Sequence, residues 1–199
     1  MKKLHQDNLY CWSSFDESRN IDFHSFLWLR KDGNIAFDPQ VLSAHDAKHL
    51  ESLGGVKTII VSNSDHIRDA ENLSALTGAK IYGPEAEKAN FELACDGWLA
   101  GGETLFDDLQ IFSLAGSKTP GELAFVIEEN TLLTADLIRA HAGGSLCLLP
   151  DPKLTDKTLA HASVKSLVNN INVDAVLVCD GWPVFRDGQR ILEELISTI

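Results

Sequence analysis

The sequence predicts a mixed α/β fold of the α+β kind, one domain spanning residues 1–199, with helices outside mixed sheets. Three observations carry this expectation. A hairpin pattern opens the chain, helix and strand patterns then alternate, and a run of successive strands precedes a last strand and helix. A doubly wound parallel sheet would have neither the hairpin nor the meander. A chain of 199 residues can bury a sizeable core, and 44% apolar with 23% charged residues is ordinary for a globular domain.

Residues 23–38, FHSFLWLRKDGNIAFD, place two apolar runs on either side of Lys31-Asp32-Gly33-Asn34, and Asp-Gly is a strong tight-turn signal. Pro39 stops the second strand. LSAHDAKHLESLGG then offers a Ser43 cap, apolar spacing through Ala47, Leu50 and Leu53, and a closing glycine pair, which predicts a helix of about three turns. VKTIIV is a short β-branched run that reads as a buried strand. Ile67, Ala70, Leu73 and Leu76 share one helical face, and Gly78 ends that helix. AKIYGP is the next strand, and PEAEKANFELA reads as a helix with proline in its first turn and acids near its positive end. Residues 103–135 read as successive strands, with turns at Asp107-Asp108 and Glu129-Asn130. An amphipathic helix over 155–170, the strand VDAVLVCDG and a helix over 187–198 complete the order.

The formal net charge of −12 repels phosphate backbones and anionic membrane surfaces, so neither nucleic acid nor a membrane is an expected partner. No apolar run reaches the ~18 residues of a membrane span. The two lysines of the N-terminus are not followed by the apolar stretch of a signal peptide. Cys11, Cys95, Cys147 and Cys179 form no CxxC pair and read as reduced thiols of a cytoplasmic protein.

Several apolar runs end in a small polar cluster. TIIV runs into Ser62-Asn63-Ser64-Asp65-His66, TLLTA into Asp136, AVLVC into Asp180-Gly181, and IFSLAG into Ser117-Lys118-Thr119-Pro120-Gly121. Strand ends that gather polar residues are where open sheets build sites. This placement resembles the metallo-β-lactamase fold, a four-layer αββα sandwich of metal-dependent hydrolases, over nearly the whole chain. FLWLRKDGNIAFDP is similar to that family's first hairpin with its Asp-Pro, and IIVSNSDHIRDAENLSALTGAKIYGPEAE to its signature strand, metal loop, helix and next strand. SLAGSKTPGELAFVIEENTLLTADL resembles its segment from His-Thr-Pro-Gly to Gly-Asp, and LVCDGWPVF its late Gly-His-Gly element.

The departures limit what the resemblance implies. The family's loop reads His-x-His-x-Asp-His. Aligned on Asp65-His66, this loop is two residues short, with Asn63 in the first histidine's place and the second absent. Aligned without a gap, Asn63 and Asp65 replace the two histidines, and Ile67 and Arg68 take the places of Asp and His. Ser117 stands for the histidine before Thr-Pro-Gly, with Lys118 inserted, and Asp180 for the last histidine; the bridging aspartate is kept as Asp136. An amide and a hydroxyl do not replace imidazoles for zinc, so the three-histidine site is expected to be lost. The second site becomes Asp65, His66, Asp136 and Asp180. By resemblance these four would hold one divalent cation (Mn²⁺, Mg²⁺, Fe²⁺ or Zn²⁺), the oxygen-rich set shifting preference from zinc toward the harder ions.

Plainer uses exist for the same residues. Ser64 or Asp65 is suited to capping the following helix, and Asp180-Gly181 is an ordinary turn dipeptide. His45 and His49 are spaced i, i+4 but lack the Glu of an HExxH pattern and read as a solvated face. Cys179, at the end of an apolar run, reads as a buried inert thiol. Two functions remain in view. One is a single-metal hydrolase of a small-molecule substrate, with Asp65 taking a proton, His141 protonating a leaving group, and Asn63, Ser117, Lys118 and Trp182 lining the site. The other is an inactive relative kept as a binding or interaction module, with Lys118 and Arg68 neutralising the aspartates. The direction in which Lys118 points separates them. Trp98, Trp182 and the glycine-rich 142–146 loop suggest an apolar-walled cleft. Association into homo-oligomers is left open.

Overall fold

The Asp32-Gly33 turn joins the strands expected of it, and they sit in the middle of a larger sheet. In the computed structural model, which describes residues 1–199, β1 (Lys2–Lys3), β2 (Leu9–Asp16), β3 (Ile21–Trp28), β4 (Ile35–Phe37), β5 (Thr58–Ile60), β6 (Lys80–Pro84) and β7 (Gly97–Leu99) pair in chain order into a seven-stranded sheet. Pairing is antiparallel from β1 to β4 and parallel from β4 to β7. The parallel connections need crossovers, and α1 (Ala44–Ser52) and α2 (Ala70–Thr77) supply two of them. A second sheet is built from β8 (Thr104–Leu105), β9 (Leu109–Ser113), β10 (Leu123–Ile127) and β11 (Thr131–Thr134). The chain then forms a separate hairpin, β12 (Ile138–Ala142) and β13 (Ser145–Leu148). It crosses through α3 (Lys157–Asn170) to β14 (Ala175–Val178), which pairs parallel with β11, and ends in α4 (Gly188–Ser197).

The strands alternate between two cores, as a period of two requires. Phe26, Trp28, Phe37 and Ile60 of the first sheet meet Phe125, Leu133 and Leu177 of the second in one buried cluster. Leu27, Ala36 and Ile59 face the other way, onto Leu50 of α1 and Leu73 of α2. On the far side Ala124, Val126, Leu132 and Val176 pack against Val164 and Leu167 of α3 and Leu192 of α4. These three clusters separate four layers, helix–sheet–sheet–helix, the αββα sandwich that the resemblance implies. No helix is long and apolar enough to cross a membrane.

Local departures have local causes. The helix expected from His66 begins only at Ala70, because Arg68 takes φ +45° and no α-helix passes through that conformation. Residues Glu85–Asn90 wind as a 3₁₀ helix rather than an α-helix. Strand β2 runs through Ser13-Ser14-Phe15-Asp16, whose mostly exposed residues hide the alternation, and the glycine loop of 142–146 is the turn of the β12–β13 hairpin.

Candidate functional site

The site starts from a buried carboxylate. Asp38 follows β4 at φ +46°, and its side chain is fully buried. One oxygen accepts from the Ser62 backbone N–H at 2.7 Å; the other accepts from Ser62 Oγ at 2.6 Å, Cys179 Sγ at 3.3 Å and His66 Nδ1 at 2.8 Å. Burial pushes the Asp38 carboxyl up, but the His66 charge and hydrogen bond, with Arg68 and Ser62, outweigh it and hold it below the usual carboxylate range. Burial and Arg68 push His66 down, while Asp38 and then Asp136 more than compensate, so its pKa is raised. With Nδ1 engaged by Asp38, Nε2 is the nitrogen that faces Asp136, 3.6 Å away.

The Ser62–His66 turn is held from two sides. Asn63 caps this turn, its Oδ1 accepting from the Asp65 N–H at 2.9 Å while its Nδ2 donates to Asp136 at 3.1 Å; neither Ser64 nor Asp65 caps α2, which follows Asp69 with no side-chain cap. Buried Glu87 accepts from the Ser64 N–H at 3.0 Å and the Gly121 N–H at 3.2 Å, clamping the two loops that follow β5 and β9. Ser117 is buried and donates to Glu122, whose other oxygen accepts from the Leu137 N–H at 2.8 Å. Glu122 is itself fully buried; desolvation and the neighbouring Asp136 push it up to about 8.

Asp136 and Asp180 end β11 and β14. Asp180 is pinned by its backbone: Cys179 C=O accepts from His24 at 2.7 Å, Asp180 C=O from Ala140 at 3.1 Å, and the Gly181 N–H donates to Asp22 at 2.9 Å. Gly181 adopts φ +101°, and a Cβ there would lie 1.7 Å from the Ala140 carbonyl oxygen, so this close approach requires glycine. Burial and Asp136 raise the Asp180 carboxyl despite His66, Arg139 and Arg68. Arg139 pairs with Asp180 Oδ2, and Arg68 Nη2 lies 3.8 Å from Oδ1 and 3.4 Å from His66 Nε2. Oδ1 of Asp180 has no hydrogen-bond partner.

Of the expected ligands, the structure brings His66, Asp136 and Asp180 together, their donor atoms within 4.8 Å of one another. Asp65 is not in that group. It pairs instead with Lys118, both about two-fifths exposed, on the wall of the same cavity. Lys118 therefore points into the site, yet engages Asp65 rather than Asp136. The cavity, about 350 Å³, is lined by Arg19, Phe23, Gln40, Asp65, His66, Arg68, Lys118, Asp136 and Asp180. An adjoining hollow of about 190 Å³ adds Arg139, His141 and Lys153. The main cavity is polar, with Phe23 its sole hydrophobic residue, whereas Trp182 and Ala142-Gly143 of the glycine-containing loop wall a separate hollow beside His141. Trp182 is 61% exposed, and Trp98 packs edge-on against Phe91. Burial and Asp38 raise the Cys179 thiol well above its ordinary value, which fits an inert group.

Reading the sequence did not assign roles to Asp38, Glu87, Glu122 or Arg139. Only Asp38 left a signal, an Asp-Pro directly after a buried strand.

A sandwich of two mixed sheets, with a carboxylate and imidazole cluster where β4, β5, β11 and β14 end, is the architecture of the metallo-hydrolases. The chain belongs to the metallo-β-lactamase superfamily: the family model described as "Metallo-beta-lactamase superfamily" matches residues 1–199. Among solved structures it is similar to a metallo-β-lactamase from Pontibacter korlensis, at 13% identity over 99% of this chain and 98% of that one, with a TM-score of 0.76. It is similar to the DIM-1 metallo-β-lactamase at 13% identity over 99% and 96%, TM-score 0.76. A third similar structure is TTHA1623 in a di-iron-bound form, at 17% identity over 84% and 90%, TM-score 0.66. No curated protein sequence matches the chain. At these identities the likeness is one of fold.

Proposed function

We propose that this chain is a metal-dependent hydrolase of a small-molecule substrate, working with one divalent cation held by His66, Asp136 and Asp180. The observation that carries the reading is the convergence of three buried donor groups, with Nδ1 of His66 anchored on Asp38 and Oδ1 of Asp180 left without a hydrogen-bond partner. A carboxylate behind a ligating imidazole fixes its tautomer and raises its basicity. The residues fit one ion rather than two, because Asn63 and Ser117 spend their polar atoms on Asp65, Asp136 and Glu122. One imidazole and two carboxylates suit Mn²⁺, Mg²⁺ or Fe²⁺, with Zn²⁺ next. Such an ion supplies a water of lowered pKa and polarises a substrate oxygen. In this reading Asp65, paired with Lys118 on the cavity wall, takes a proton. His141, which lines the adjoining hollow together with Asp136 and Asp180, gives one to a leaving group in this reading.

Thermal melts test this. At a hundredfold excess of Mn²⁺ over its Kd the fold should gain ~2.7 kcal/mol. For a chain of this length that is a rise of about 5–10 °C in Tm. The shift should shrink as acid protonates His66 and the aspartates, and Asp136→Ala should abolish it.

A second reading is favoured by Arg68 and Arg139. These guanidinium groups, with a protonated His66, balance Asp38, Asp136 and Asp180 without any metal, as in a binding module. In that case wild type shows no shift at millimolar Mn²⁺, Mg²⁺ or Zn²⁺, and Asp136→Ala loses stability whether or not metal is added.

The four cysteines are unpaired, Cys11 and Cys179 buried and the others half-buried, which supports a cytoplasmic working place. Thiol titration of the unfolded, non-reduced protein should count all four; two or fewer would overturn that placement.

A further inference from the structure

Arg19, Arg68, Lys118, Arg139 and Lys153 all line the two adjoining hollows, opposed by Asp65, Asp136 and Asp180. Five cations against three carboxylates leave an excess of positive charge, in a chain whose net charge is −12 and which has 17 Lys and Arg against 29 Asp and Glu. The cleft therefore opposes the sign of the molecule around it and focuses anions. Two further observations point to a ligand. Arg139 is more than nine-tenths buried on the wall of the second hollow, and its Nε has no partner. Arg19 and Arg68 both approach Phe23, their Cζ atoms 5.7 and 6.0 Å from its ring, so two guanidinium groups flank the one apolar residue of the main cavity. Beyond His141 and Ile21 a third hollow, about 250 Å³, is walled by Phe15 and Trp182, which are 56% and 61% exposed.

We infer that the cleft takes a phosphate monoester of an apolar or aromatic alcohol, its phosphate among the basic side chains and its apolar part against Trp182 and Phe15. A carboxylate is satisfied by one guanidinium fork, whereas a dianionic tetrahedral group uses several cations at once. The substrate assignment rests on the hydrolase reading; the binding of the anion does not. In the reaction, a water oxygen bonds to phosphorus and the ester P–O bond breaks. The released oxygen takes a proton from His141, Asp65 takes the proton lost by water, and the products are the alcohol and inorganic phosphate.

Isothermal titrations of the full chain with phenyl phosphate, inorganic phosphate and benzoate test this, each with chelator and with Mn²⁺. Phenyl phosphate should bind the chelated protein, tighter than either other probe and weaker as salt rises. Arg19→Gln and Lys153→Gln alter exposed side chains and keep the fold; each should weaken phenyl phosphate by roughly three- to tenfold. Trp182→Ala should erase the advantage of phenyl phosphate over inorganic phosphate. Equal affinity for benzoate, no saturable binding, or unchanged affinity in both charge variants would overturn the inference. Release of phenol from phenyl acetate without binding of phenyl phosphate overturns it too, but keeps the hydrolase. Binding of phenyl phosphate with neither a metal-dependent melt nor phenol release supports the anion pocket and removes the hydrolase.

Discussion

Asp38→Ala is expected to destabilise the protein by about 3–5 kcal/mol, the range for removing one partner of a buried ion pair. The substitution leaves His66, the Ser62 N–H, Ser62 Oγ and Cys179 without their common acceptor inside the fold. Denaturant unfolding measures it, and Asp38→Asn should fall between the two, since it keeps an acceptor for Ser62 but not the charge. The pair also gives a pH signature. The Asp38 carboxyl is depressed, so its contribution is present above the unfolded value of 3.8 and is lost as pH falls through the lower folded one. His66 is raised, so its contribution is present below the unfolded value of 6.5 and is lost as pH rises through the higher folded one. The difference between wild type and Asp38→Ala should therefore be greatest between those two unfolded values. A loss below about 1 kcal/mol, the level of an exposed pair, would show that Asp38 does not anchor the site.

Glu122→Gln should act in the opposite direction. Glu122 has a folded pKa of about 8 against an ordinary 4.5, so from pH 4.5 upward the unfolded chain ionises while the folded protein keeps its proton. Stability is thus lost as pH rises through that window, by an amount on the order of several kcal/mol. Glutamine can accept from the Leu137 N–H and turn its amide toward Ser117 Oγ, and it does not ionise. The variant should match wild type near pH 4 and exceed it at pH 8 in chelator. Parallel stability curves over that range would mean that Glu122 ionises normally despite its burial.

The fold was legible because its signals are short-range. Asp32-Gly33 closes a hairpin, Ser43 caps α1 by accepting from the Asp46 N–H, and Gly78 ends α2 at φ +72°. Each acts within a few residues of itself. The left-handed turn at Arg68 was not legible, because it is held by hydrogen bonds from the guanidinium to the His24 and Asp38 carbonyls, far away in sequence. The cluster of His66, Asp136 and Asp180 was readable from polar residues at strand ends. Its surroundings were not. Arg139, between buried Ile138 and Ala140, looks like an outward-facing strand residue until the hairpin folds it onto Asp180. Glu87 looks like one of several helical acids until its two oxygens are seen holding separate loops. Asp65 was drawn into the ligand set by its neighbour His66, but the inserted Lys118 claims it.

The two main sheets divide the chain almost at its midpoint, with β1–β7 before residue 100 and β8–β11 with β14 after it. Asp38, Asn63 and His66 come from the first half; Glu122, Asp136, Arg139 and Asp180 come from the second. Asn63 meets Asp136 across 73 residues and Cys179 meets Asp38 across 141. Each sheet can therefore pair most of its strands from contacts local to its own half, while the polar centre exists only once the halves have docked. Closing such long loops is the slow, entropically costly part of folding. The centre is thus a late-assembling seam. A partial opening of the sandwich would dismantle it while both sheets kept their hydrogen bonds, and a ligand bound across it would fasten one half of the chain to the other.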